Sequence, residues 1–116
     1  MTKSPRKQMN DVPVLDRGRL DAITGGSAGL ARELVTMLIG EARGLAQQIH
    51  VAVAEANGSR TADLVHALKG MAGNVGAVRL QHAAGDFERA DVHDAPGLRR
   101  CVARLDEELA VLTALR

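Results

Sequence analysis

His66 and Lys69 stand three residues apart, and two glycines, Gly70 and Gly73, follow within seven residues of the histidine. A neutral imidazole nitrogen is a nucleophile near neutral pH, because the ordinary histidine pKa is about 6.5. It attacks phosphorus and holds a phosphoryl group as a phosphoramidate, a bond labile enough to pass the group onward. The transferred group spreads its charge over three oxygens in an in-line transition state. An ammonium at i+3 on a helix is placed to stabilise that charge. A glycine inside a helix costs roughly 1 kcal/mol relative to alanine. Two of them beside one histidine therefore call for a packing or access reason, and close approach of a partner to the imidazole is such a reason.

The element that must carry these residues runs from Ala62 toward Leu80, as one helix and the start of the next. At about 100° per residue, Leu64, Leu68, Met71 and Val75 share a narrow arc that forms a core stripe. His66 falls on the opposite side, with Lys69, Gly70 and Gly73 within about 60° of it.

The run His66-Ala67-Leu68-Lys69-Gly70, then Gly73, Gly76-Ala77 and Leu80, resembles the signature of the histidine phosphotransfer (HPt) domains of bacterial phosphorelays. That signature is His-x-Leu-Lys-Gly, a small residue, Gly-Ala and a leucine. The lengths and order of the flanking helices extend the likeness over nearly the whole chain. Met71 departs from it, standing where the family often has serine or another small residue; its phase points to the core, away from the chemistry. The resemblance implies that the attacking atom is the distal ring nitrogen, Nε2. It implies as partners the receiver domains of response regulators and a (hybrid) sensor histidine kinase, with the receiver supplying both the phosphorylated aspartate and Mg²⁺. The chain itself is then a phosphoryl carrier that binds no cofactor and no metal. Glu88, 22 residues after His66, resembles the position on the next helix that orients the ring; a solvated glutamate is the alternative. There is no Gly-rich nucleotide loop of the P-loop kind and no room for a separate ATP-binding domain, so autophosphorylation from ATP is not expected.

Composition bounds the scaffold. A chain of 116 residues suffices for one domain with one core. One Phe, no Tyr and no Trp leave Ala, Leu and Val to build that core, which favours closely packed helices over a β-sandwich. It also removes the aromatic platforms that base stacking on nucleic acid needs. The formal charge of +1 is misleading: residues 1–10 carry Lys3, Arg6 and Lys7 and no acid, and the other 106 residues hold 12 basic and 14 acidic side chains. No DNA-binding face is expected from that balance. Cys101 is alone and cannot form an internal disulfide, which fits a reducing, cytoplasmic setting. The N-terminus lacks the apolar run of a secretory signal, no stretch approaches a membrane span, and we expect a monomer without direct membrane contact. Met1 and the shortness of the leader favour an independent chain over a domain of a hybrid kinase.

In chain order, residues 1–13 read as a flexible polar tail and 14–116 as the domain. Asp16 caps a short helix over about Arg17–Thr24, with Leu20 and Ile23 inward, and Gly25-Gly26 breaks it. Ser27 caps a long helix over about Ala28–Ala56, where Leu30, Leu34, Met37, Leu38, Leu45, Ile49 and Ala52 follow helical spacing and Glu41 breaks the line. Asn57-Gly58 ends it and Ser59 opens the His66 helix; so short a connection predicts antiparallel neighbours. A fourth helix over about Arg79–Ala90 sets Leu80, Ala83, Ala84 and Phe87 on one side. A turn over Asp91–Gly97, with an Asp94 cap, leads to a last helix striped by Leu98, Cys101, Val102, Leu105, Leu109 and Leu112. The expected architecture is all-α: an antiparallel four-helix bundle with a short additional N-terminal helix.

Arg79 reads as a surface arginine at a helix start, with phosphate contact as the alternative. His50, His82 and His93 show no metal-ligand spacing and read as surface residues; Cys101 reads as core. The exposed face of the His66 helix and part of the long helix before it, with Glu33, Glu41 and Arg43, make the expected recognition surface. Two other classes fit a helical bundle: a module that binds a receiver or enzyme without carrying phosphate, and an oligomerisation domain with an incidental histidine. His66 beside Lys69 speaks against both.

Overall fold

Side-chain caps set the helix starts. Asp16 accepts from the Arg19 backbone N–H at 3.0 Å, Ser27 from Leu30 at 3.1 Å, Asn57 from Arg60 at 3.1 Å and Asp94 from Gly97 at 3.0 Å. Each satisfies one of the donors that a helix N-terminus leaves open. The computed structural model describes residues 12–115, so residues 1–11, most of the expected tail, lie outside the described residues. The helices are α1 (Arg17–Thr24), α2 (Ala28–Ala54), α3 (Gly58–Val75), α4 (Val78–Glu88) and α5 (Ala95–Ala114). Among the described residues there is no strand.

Short connections force α2 to α5 into up-down-up-down order. α3 packs between α2 and α4, and α5 closes the ring by packing on α4 and α2. The core is aliphatic: Leu38, Ile39, Ile49, Val65, Leu68, Leu80, Leu105 and Leu112 are almost wholly buried, joined by Phe87 at 4% exposure. The chain is therefore the expected all-α, antiparallel four-helix bundle with α1 added at its front.

Three local expectations need correction. The inward stripe of α2 is Val35, Leu38, Ile39, Ala42, Ala46, Ile49 and Ala52, one step round from the expected line. Leu30 is 50% and Met37 61% exposed, and the charge at Glu41 belongs to that outer edge. In α1, Ile23 is exposed and Thr24 is buried instead, its hydroxyl donating to Leu20 O at 2.7 Å. Helix boundaries also shift. α2 stops at Ala54 because Ala56 turns left-handed, at φ 55°. The Ala56 N–H then donates to Val53 O and the Asn57 N–H to Ala52 O, a Schellman closure. Asn57 thus caps α3 rather than ending α2. α4 begins one residue early and ends at Glu88, and Pro96 and Gly97 lie inside the first turn of α5.

α1 fastens to the corner between α3 and α4. The Asp16 N–H donates to Gly76 O at 2.7 Å and the Val78 N–H to Val14 O at 3.1 Å, while Arg19 Nε donates to Asn74 O at 3.1 Å. Gly76 has φ 88°, and a Cβ there would lie 3.1 Å from the Arg19 side chain. Both conformation and space demand glycine at this corner.

Candidate functional site

α3 and α4 run antiparallel in a register that pairs His66 with Glu88, Lys69 with Gly85, and Gly73 with Gln81. His66 Nδ1 is 2.7 Å from Glu88 Oε2, and the Lys69 ammonium donates to Glu88 Oε1 at 3.0 Å. A Cβ on Gly85 would meet Lys69 Cε at 3.9 Å, so the lysine stem lies over a bare stretch of α4. A Cβ on Gly73 would stand 2.8 Å from the Gln81 amide nitrogen, whereas one on Gly70 would meet nothing within 4 Å. Gly70 therefore leaves open ground beside the ring, and Gly73 makes room for a neighbouring helix.

The ring is presented outward. The His66 side chain is 78% exposed, that of Lys69 40% and that of Glu88 25%. A carboxylate only accepts, so the neutral imidazole donates through Nδ1–H and keeps its lone pair on Nε2. The hydrogen bond from His66, then that from Lys69, holds the Glu88 carboxyl below its ordinary range.

α4 is in turn pinned to α5. Arg79 Nε lies 3.0 Å from Glu108 Oε1, with side chains only 19% and 6% exposed, and Arg79 also donates to Glu108 Oε2 at 3.1 Å. Arg79 is thus not a surface residue but half of an interhelical ion pair, away from solvent. Further along α4, Asp86 takes Arg104 from α5 and Arg89 from the C-cap of α4. The Arg104 hydrogen bond is the chief reason that its carboxyl sits below the usual range. These pairs hold the helix that carries Glu88.

Sequence reasoning did not find Gln81, Gly85 and Glu108. Gln81, Gly85 and Glu88 stand at i, i+4 and i+7, one face of α4, which was the available signal; nothing local marks Glu108 as Arg79's partner. His50 is exposed like His66, with Nε2 2.8 Å from Asp106 Oδ2, but no lysine or arginine stands within four residues of it. His82 and His93 are exposed. Cys101 is half-buried against the core, and burial pushes its thiol pKa up. Among the described residues no three His, Cys, Asp or Glu side chains gather into a metal site, and no helix is long and apolar enough to cross a membrane.

The family model for the Hpt domain matches residues 33–115. That is most of the chain, and the protein belongs to the Hpt domain family. Hpt domains carry phosphoryl groups on histidine in two-component phosphorelays, as carriers rather than kinases. No curated protein and no solved structure matches the chain.

Proposed function

We propose that this protein relays a phosphoryl group between receiver-domain aspartates through a phosphohistidine at His66. The observation that carries the reading is the two-armed hold of Glu88 on His66 and Lys69 at the exposed end of the α3–α4 register. The Nε2 lone pair attacks the phosphorus of an aspartyl phosphate. The N–P bond forms as the P–O bond to the aspartate breaks, and the carboxylate leaves. The ring keeps its Nδ1 proton and becomes cationic; the Glu88 carboxylate balances that charge. Lys69 turns from Glu88 to the phosphoryl oxygens. Transfer to a second receiver runs the same step backward.

The receiver contributes the aspartate and Mg²⁺, and this chain contributes no cofactor. Its docking surface is the outer face of α3, opened by Gly70 but not by Gly73, which the Gln81 side chain of α4 covers, together with an apolar ridge on α2. That ridge is the exposed Leu30 and Met37, with the half-buried Leu34 between them. Met37 lies eleven residues before Gln48, about three turns, and Gln48 Oε1 accepts from Arg60 of α3 at 2.9 Å. The ridge therefore runs along the α3 side of α2, where its exposed side chains suit a receiver's apolar contact surface. A response-regulator receiver and a (hybrid) sensor histidine kinase are the partners of this reading, residues 14–116 its working unit, and the cytoplasm its setting.

Incubation with a phosphorylated receiver tests it. The chain gains an acid-labile, alkali-stable phosphate, and His66→Gln gains none while its helical content and Tm stay nearly unchanged. Binding without labelling of the wild type would make the bundle an interaction module instead.

A further inference from the structure

Two carboxylates of α4 stand two residues apart, and each is shared. Glu88 takes His66 and Lys69, and Asp86 takes Arg104 and Arg89. With the imidazole neutral, two acids face three positive charges, those of Lys69, Arg89 and Arg104. The cluster therefore holds one cation beyond neutrality, beside the ring that the relay reading loads with a phosphoryl group.

Arg89 is the loosely held member. Its side chain is 72% exposed, against 30% for Arg104. The hydrogen bond from Arg104 is the first cause of the lowered Asp86 carboxyl pKa, and Arg89 adds a weaker through-space attraction. Asp86 thus keeps its partner on α5 when Arg89 leaves, as Glu88 keeps the ring when Lys69 leaves. An exposed pair of this kind opens at little cost.

Arg89 also lies on the face of α4 that meets α3. It is the C-cap residue, next to Glu88, and stands four residues after Gly85, on the same side of the helix. Its side chain runs back along α4, as helical side chains do, and Nη1 comes within 3.8 Å of the place a Cβ on Gly85 would occupy. Lys69 Cε is 3.9 Å from that same point. The bare backbone at Gly85 is covered by the lysine stem from α3 on one side and by the guanidinium on the other. An alanine would fit between them in ordinary contact; a larger side chain would part them.

We infer that Arg89 is a second cation of the phosphoryl site, which leaves Asp86 to contact the phosphoryl oxygens on His66 Nε2 alongside Lys69. The inference rests on the relay reading of His66. A guanidinium offers the oxygens a planar fork of N–H donors where the lysine offers a point charge.

Phosphoramidate loads the full chain without a receiver: the Nε2–P bond forms as the P–N bond to ammonia breaks, and ammonia leaves. The ³¹P resonance that is absent from His66→Gln is followed from about pH 5 to pH 9, and gives the second pKa of the phosphoryl group. In Arg89→Gln that pKa rises by about 0.2–0.7, the effect on the dianion of losing one exposed ion pair. Arg89→Lys, which keeps the charge without the fork, lies between. Arg17→Gln, which removes the same charge from an exposed position on α1, leaves it where it was. His82, which adds to the field at Asp86, is common to all these variants. With saturating phosphorylated receiver, Arg89→Gln slows single-turnover transfer about two- to fivefold and changes receiver affinity by less than about twofold. A phosphoryl pKa in Arg89→Gln equal to that of the wild type, or moved no further than in Arg17→Gln, overturns the inference and leaves the relay standing. A wild type whose His66 takes no phosphate from phosphoramidate or from a receiver overturns both.

Discussion

The Lys69 ammonium lies 3.0 Å from Glu88 Oε1, on the same carboxylate whose other oxygen is 2.7 Å from His66 Nδ1. Before any phosphate arrives, lysine and ring are held by one acid from the neighbouring helix. In the proposed relay, transfer at Nε2 requires the lysine to change partner while the ring keeps its own.

Lys69→Ala separates those two duties. Transfer from a phosphorylated receiver should slow by about 10²-fold, the usual cost of losing one donor to transition-state charge, while receiver affinity changes by less than about fivefold. Rapid-quench transfer rates set beside a binding titration make the comparison; unaltered rates would remove the lysine from the mechanism.

Glu88 gives a pH signature. Its carboxyl pKa is lowered from the ordinary 4.5 by His66 and Lys69. A depressed carboxylate contributes stability that is present above the unfolded value and is lost as pH falls through the folded one. Wild-type stability should therefore decline below about pH 4.5 more steeply than that of Glu88→Gln, read from denaturant midpoints between pH 3 and 7. At neutral pH Glu88→Gln retains an oxygen for Nδ1–H but loses the charge that balances the phosphorylated ring. It should transfer more slowly than wild type and faster than Glu88→Ala.

The Arg79–Glu108 pair tests how α4 is held. Removing one partner strands a charge at a site where the side chains are 19% and 6% exposed, at a cost of about 3–5 kcal/mol. Arg79→Met and Glu108→Leu should each lower stability by an amount of that order, and the double variant should recover most of it, in a urea double-mutant cycle. Equal, additive losses would mean that the two residues do not act on each other.

Ala56 holds a left-handed conformation, φ 55°, at the end of α2. That conformation costs an L-residue about 1–2 kcal/mol, and glycine relieves it at an unfolded-state cost of about 0.4–1 kcal/mol. Ala56→Gly should stabilise the bundle by about 0.5–1 kcal/mol, a rise in Tm of a few degrees by calorimetry.

Much of this was legible because the signals are local. The caps at Asp16, Ser27 and Asp94 are single residues acting three positions on, and the stripes of α4 and α5 follow one period without interruption. The outward placement of His66 also followed from spacing, whereas its contact with Glu88 was implied only by the family resemblance, and the Lys69–Glu88 contact was not expected. α2 was harder: Leu30, Leu34 and Met37 have the same period as Val35, Leu38 and Ala42. Hydropathy favours the larger side chains, whereas close helix packing selects the alanines. The alignment of Gln81 and Gly85 under the site, and of Glu108 under Arg79, depends on how far one helix slides along another. That offset is set by the corner at Gly76 and the length of α4, which no single helix period encodes.

The family match opens at residue 33, inside α2, yet the α3–α4 corner is tied from farther upstream. Val14 O and the Asp16 N–H take up the backbone groups of Val78 and Gly76, and Leu20 of α1 is 2% exposed. A fragment trimmed to the shared boundary would keep every residue of the phosphoryl site and lose the clasp that fixes where α4 begins. The offset between imidazole and carboxylate is thus secured by a segment upstream of the matched residues.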